Sequence, residues 1–114
     1  MMFSSVEVFL REISKLKDEL FPDGRLETVY ARLDKVSLRL VIKDALFIDI
    51  YFNALNGRFD FTLINNSRRI FGYDNLKSWH FHPYKNPDAH VECDRPTLRQ
   101  IMRETSSVIE GHLK

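Results

Sequence analysis

A single cysteine, Cys93, cannot form an internal disulfide, and nothing in the sequence suggests export, so the expected setting is a reducing compartment and, by default, the cytoplasm. Four glycines are too few for most phosphate-cradling loops. No Gly-rich loop, G-x-S-x-G elbow or dinucleotide fingerprint occurs, and no nucleotide cofactor is expected. C-x-x-C and H-E-x-x-H patterns are also absent, so no cofactor or metal is assigned at this level. Neither sign of charge dominates. With a formal net charge of +1, any pull toward nucleic acid must come from a local patch. No window approaches the roughly 18 uninterrupted apolar residues of a membrane helix. The opening MMFSSVEVFLREISK carries charges inside its apolar stretch and lacks a small-residue cleavage site, unlike a signal peptide.

What is present is ordinary for a folded domain. The 114 residues are 44% hydrophobic and 29% charged, enough for one core and too few for a second domain, so residues 1–114 are read as a single unit. Nine Phe, four Tyr and one Trp supply the large rings with which a thin domain buries area.

The periodicity changes once near each end. Val6, Phe9, Leu10, Ile13, Leu16 and Leu20 recur at three- and four-residue steps, predicting a helix over 4–20. Ser4 and Glu7 have the spacing of a capping box, and Phe3 is placed to staple onto Val8. Pro22-Asp23-Gly24 then turns the chain, and from Leu26 the period is two. Strands are expected over Thr28–Asp34, Val36–Lys43, Leu46–Asn53, from Phe59 through Leu63, and over Arg68–Tyr73, with one short extended piece over Trp79–Tyr84. Short links at Asp34-Lys35, Asp44-Ala45, Asn56-Gly57 and Asn65-Asn66-Ser67 make the neighbours antiparallel. Asp94 can cap a last helix with Pro96 in its first turn and Leu98, Ile101, Met102, Thr105, Val108 and Ile109 on its inner stripe. The expected fold is α+β: an antiparallel meander of five to six strands flanked by an N-terminal and a C-terminal helix.

Chemistry concentrates between Arg58 and Lys85. Five basic residues (Arg58, Arg68, Arg69, Lys77, Lys85) stand against two acidic ones (Asp60, Asp74), and rings are interleaved among them. If residues 79–84 are extended, His80 and His82 share one side and Trp79 and Phe81 the other. Two imidazoles on one surface can take and give a proton near neutrality. Arg68, Arg69 and Lys77 can bind a phosphodiester and stabilise its developing charge. Arg68 and Arg69 point to opposite faces of a strand, so at most one belongs with the histidines. Together these features suit metal-independent RNA cleavage through the 2′-hydroxyl. A competing reading makes His80 and His82 solvated positions on an edge strand, and the competing function is a non-enzymatic interaction domain whose exposed strand edge and abundant rings pair with a second copy, as a homodimer, or with another protein. A third reading is a small metal-dependent hydrolase using the pair with His90, Cys93 or Asp74. Tyr73 and Asp74 can equally be structural, Asp74 in an Asx-type turn with Asn75.

The stretch Gly72-Tyr73-Asp74-Asn75, with a basic residue before it, Lys77 after it and the His80-x-His82 pair, resembles the core pattern of the TumE-type toxin family of bacterial and archaeal toxin–antitoxin modules. The motif resemblance spans Arg68 to His82. Elsewhere it extends only to chain size and the order of elements. Leu76-Lys77-Ser78-Trp79 departs from the family's small, Gly-rich or His-rich spacer. The resemblance implies importance for Arg69, Tyr73, Asp74, Asn75, Lys77, His80 and His82. It also implies a growth-blocking toxin neutralised by a helix-turn-helix antitoxin, with a ribonuclease activity as an extension. The expected site therefore has His80, His82, Tyr73 and Asp74 as catalytic residues and Arg68, Arg69, Asn75 and Lys77 on the substrate. RNA, the antitoxin and a second copy are the expected partners, and no membrane is expected.

Overall fold

The computed structural model describes residues 3–113, an α+β fold in which two helices flank a seven-stranded antiparallel sheet. Helix α1 (Val6–Leu20) precedes β1 (Arg25–Ala31), β2 (Lys35–Lys43), β3 (Leu46–Asn53), β4 (Phe59–Asn65), β5 (Arg68–Asp74), β6 (His80–His82) and β7 (Val91–Glu92), and α2 (Leu98–His112) closes the chain. Spatial order equals chain order, β1 through β7, because every link is too short to cross the sheet.

Each helix buries one stripe. From α1, Phe9, Ile13 and Leu16 enter the core, and from α2, Leu98, Ile101, Met102 and Ile109. They meet the alternate residues of the central strands: Val36, Leu38 and Leu40; Leu46, Ile48, Ile50 and Phe52; Phe59, Phe61 and Leu63. Helix α1 lies over β3 and α2 over β5, so both helices cover the same face. Full burial of a side chain of this size contributes about 1.5–3 kcal/mol, and the concentration of Phe and Ile at zero exposure is what holds the thin sheet to its helices. Arg99 and Glu19 form an ion pair between the two helices.

The opposite face carries the polar half of each alternation. Cross-strand partners point to the same side, so Arg39, Asp49, Thr62, Gly72 and His82 form one row and Ser37, Tyr51, Asp60, Asp74, His80 and Glu92 the next. Among the described residues no helix covers this open face.

Several expected boundaries move. The N-cap of α1 is Ser5, whose side chain accepts from the Val8 N–H, in place of Ser4. Phe3 packs edge-on against Phe9 and Phe52 instead of stapling onto Val8. Thr97 caps α2 by accepting from the Gln100 N–H, leaving Asp94 outside the helix. Strand β1 begins at Arg25 and ends at Ala31, three residues earlier than expected at each end. As an edge strand it is mostly exposed, so its apolar pattern is too weak to mark its ends. Strand β7 is an addition: two exposed residues paired only through backbone carry no periodicity to read. It makes seven strands where five to six were expected, and it places β6 inside the sheet instead of at its edge.

Candidate functional site

The Tyr73-Asp74-Asn75 run divides three ways, because a strand sends successive side chains to opposite faces and the strand ends at Asp74. Tyr73 faces the helices. It is 4% exposed, and its hydroxyl donates to Glu104 of α2 at 2.6 Å. Burial, then the hydrogen bond to Glu104 and that carboxylate's charge, push the phenol far above its ordinary range. It therefore stays protonated and ties β5 to α2, on the wrong face for the catalytic role expected of it. Asn75 closes the strand end: its Oδ1 accepts the Phe59 N–H and its Nδ2 donates to the Gly57 carbonyl, both at 2.8 Å. Both ends of its amide are taken up by backbone, so it holds a turn.

Asp74 alone of the three points to the open face, and there it meets the histidines. Oδ1 accepts the Leu76 N–H at 3.0 Å, an Asx-type turn that fixes the carboxylate. Oδ2 lies 3.1 Å from His80 Nε2 and 3.1 Å from His82 Nε2. Strand pairing dictates this, since His80 is directly opposite Asp74 and His82 is opposite Gly72 in the next row. Burial raises the Asp74 carboxyl, but the Leu76 N–H, the His82 hydrogen bond and the charges of both imidazoles outweigh it and hold the group below its ordinary value.

The histidines are not solvated. His80 is 7% and His82 2% exposed. His80 Nδ1 lies 3.0 Å from the Ser78 carbonyl and His82 Nδ1 3.0 Å from the Pro87 carbonyl. A carbonyl only accepts, so each ring carries its hydrogen on Nδ1 and, when neutral, presents a bare lone pair at Nε2. Both Nε2 atoms adjoin one carboxylate oxygen. That arrangement is attractive only with a positive species among them. The segment after β6 adds His90, an exposed ring whose centroid is 4.8 Å from that of His80 and 4.6 Å from that of His82.

Two further residues complete the surroundings. Asp60, opposite Asp74 on β4, has its carboxyl raised by burial and by the Asp74 charge, against the pull of Arg58 and the histidines. Arg58 holds Asp60 at 2.8 Å through Nη2, while its Nη1 is buried without a hydrogen-bond partner. Beyond Asp60 the open face dips into a depression of about 290 Å³ lined by Arg39, Asp49, Tyr51 and Thr62 among others.

Of the expected substrate contacts, Arg69 reaches this face and Arg68 does not. Arg69 pairs with Ile64, two residues along β4 from Thr62 and so about 7 Å beyond the Thr62–Gly72–His82 row, whereas Arg68 pairs with Asn65 on the helix side. The register shift opposite Leu63/Ile64 decides this. Without the extra Ile70, Arg69 would share the face of Phe71 and Tyr73. Lys77 is exposed in the β5–β6 loop with φ of 70°, outside the cluster. Asp60 and Arg58 were missed as site residues. The alternation of Phe59, Phe61 and Leu63 inward already placed Asp60 outward, but only pairing brings it to Asp74.

No family model, curated protein or solved structure matches this chain.

Proposed function

We propose that this chain acts on RNA phosphodiesters as the toxin component of a toxin–antitoxin module, with Asp74, His80 and His82 at the reacting centre. The observation that supports it is the gathering of three imidazoles and the Asp74 carboxylate into one cluster on the uncovered face of the sheet. Burying two rings and a carboxylate costs stability that apolar side chains at these positions would not. A buried polar cluster on an uncovered face supports a working site. Arg58 and Arg69 supply cations on the same face for a phosphate.

In this reading the 2′-hydroxyl loses its proton to His80, its oxygen bonds to phosphorus as the P–O5′ bond breaks, and the departing 5′-oxygen takes a proton from a second, protonated imidazole of the cluster. The products are a 2′,3′-cyclic phosphate and a free 5′-hydroxyl. His80, the more exposed ring of the pair, meets the substrate, and His82 acts through Asp74. A helix-turn-helix antitoxin would neutralise the activity.

Induced expression of wild type should arrest growth, and purified protein should cleave RNA. The folded His80→Ala/His82→Ala variant should lose about 10²–10⁴-fold of the cleavage rate. Equal arrest and cleavage by that variant, or intact RNA with folded wild type, would refute the reading.

A second reading, an interaction domain pairing with another copy of itself, is favoured by the β1 edge. There Val29 is 60% exposed, and Leu33, in the link from β1 to β2, is 98% exposed. Leu33 borders an open surface groove of about 880 Å³ with Val6 and Leu10 of α1. Light scattering should then show a dimer that Val29→Lys/Leu33→Asp converts to monomer, and a wild-type monomer at all concentrations would exclude it.

A further inference from the structure

Three features of the histidine cluster concern what lies between its members, and none requires RNA. The first is the direction of the lone pairs. With Nδ1–H of His80 and His82 committed to the Ser78 and Pro87 carbonyls, and Oδ1 of Asp74 committed to the Leu76 N–H, the atoms left over are two Nε2 and one Oδ2. With both rings neutral, all three are electron-pair donors. The second is their spacing. Both nitrogens are 3.1 Å from the oxygen. Ligands about 2.0–2.1 Å from one ion lie about 3.3 Å apart at tetrahedral corners and about 2.9 Å apart at adjacent octahedral ones, so 3.1 Å falls between these edge lengths. The third is the support. A metal-binding histidine donates its other ring N–H to a carbonyl or carboxylate, which fixes the tautomer and turns the free nitrogen toward the ion. Both rings already have that partner, and the carboxylate has its own.

We propose that His80 Nε2, His82 Nε2, Asp74 Oδ2 and the ring of His90 bind one divalent first-row transition ion of the zinc class. The ligand atoms of the three histidines lie within 4.8 Å of one another. His90, exposed on the segment before β7, closes on the ion by a change of its side-chain torsions. Three imidazoles and one carboxylate suit Zn²⁺, Co²⁺ or Ni²⁺ over Mg²⁺ or Ca²⁺, which take oxygen ligands. Two ligands come from alternate positions of β6 and one from the paired position of β5, so the sheet itself sets most of the geometry. Asp60, the cross-strand partner of Asp74, lines the depression on the same face. The inference rests on the proposed function only in placing the ion at a reacting centre. With both Nε2 atoms on the ion neither ring of the pair can take a proton, so a hydroxide held by the ion would replace His80 as the base and the ion would polarise a phosphoryl oxygen. The binding site itself stands or falls separately.

The full chain, prepared without a polyhistidine tag and stripped with a chelator, is titrated calorimetrically with ZnCl₂. Visible absorption is recorded after adding CoCl₂. One ion per chain is expected, with the absorption of a four- or five-coordinate, nitrogen-ligated cobalt. His80→Asn should weaken zinc binding by more than the roughly 10–100-fold that loss of an outer-shell partner costs. His112→Ala, on the far helix end, should not change it. Because His80→Asn could unfold, His90→Ala is the companion: its side chain is exposed, so it folds, and it should also weaken binding at least tenfold. Absence of stoichiometric binding by folded wild type overturns the site, as does undiminished affinity in His90→Ala or in folded His80→Asn. If zinc binds and RNA stays intact, the metal site stands and the nuclease reading falls. Cleavage by chelated, metal-free protein upholds the nuclease reading and removes the ion from its chemistry, while the titration alone decides the binding site.

Discussion

Truncating Asn75 to alanine separates a turn-holding role from a substrate-binding one. The wild-type amide makes two hydrogen bonds of 2.8 Å, accepting from the Phe59 N–H and donating to the Gly57 carbonyl. Each contributes about 0.5–1.5 kcal/mol net, and an orphaned buried donor costs about 1–3 kcal/mol. Phe59 is fully buried and sits where β4 starts, so its N–H has little access to water once Asn75 is cut back. Gly57 is half-buried and its carbonyl can be hydrated, so it adds little. The expected loss is about 2–3 kcal/mol, which at a urea slope of about 1.5–2 kcal/mol/M lowers the midpoint by about 1–2 M. Asn75→Asp keeps the acceptor for Phe59 but sets a carboxylate oxygen against the Gly57 carbonyl. It should still lose at least about 1 kcal/mol. Urea unfolding followed by circular dichroism reads both variants. A midpoint shift below about 0.3 M for Asn75→Ala, with the slope unchanged, would refute the reasoning. If that variant is stable and RNA cleavage is nevertheless lost, Asn75 belongs with the substrate.

Two other substitutions probe the same strand. Tyr73→Phe removes the hydroxyl bonded to Glu104 while keeping the ring in the core; a loss of about 1–2 kcal/mol in urea is expected, with RNA cleavage by the folded variant within about twofold of wild type. A large drop in cleavage without a drop in stability would return Tyr73 to the reacting centre. Gly72→Ala puts a Cβ 2.7 Å from the Phe61 carbonyl oxygen, a backbone atom that can move only if β4 and β5 separate. It should destabilise by about 1–3 kcal/mol, and a thermal midpoint equal to wild type would show that the two strands are not held that closely.

Residues 72–75 are informative about what a sequence carries. The resemblance treated Tyr73, Asp74 and Asn75 as members of one site, yet the fold gives them three destinations: the helix face, the open face and the turn. Only Asp74 lies with His80 and His82. That the two histidines share a side followed from their spacing alone. Their burial did not, because it depends on β7 and on the segment around Pro87, which has no periodicity.

By itself the sequence determined the local periods: 3.6 residues at each end and two between them, with turn residues at short intervals. An α+β meander between two helices follows, because short links allow only antiparallel neighbours. Tertiary structure decided everything that depends on register. The extra residue at Ile70 turned Arg69 to the open face, and pairing of β5 with β6 set Asp74 against two imidazoles eight or fewer residues away. The physical reason is that periodicity fixes which side a residue faces within its own strand. Which residues become neighbours is fixed by hydrogen-bond register between strands, and a single bulge resets it.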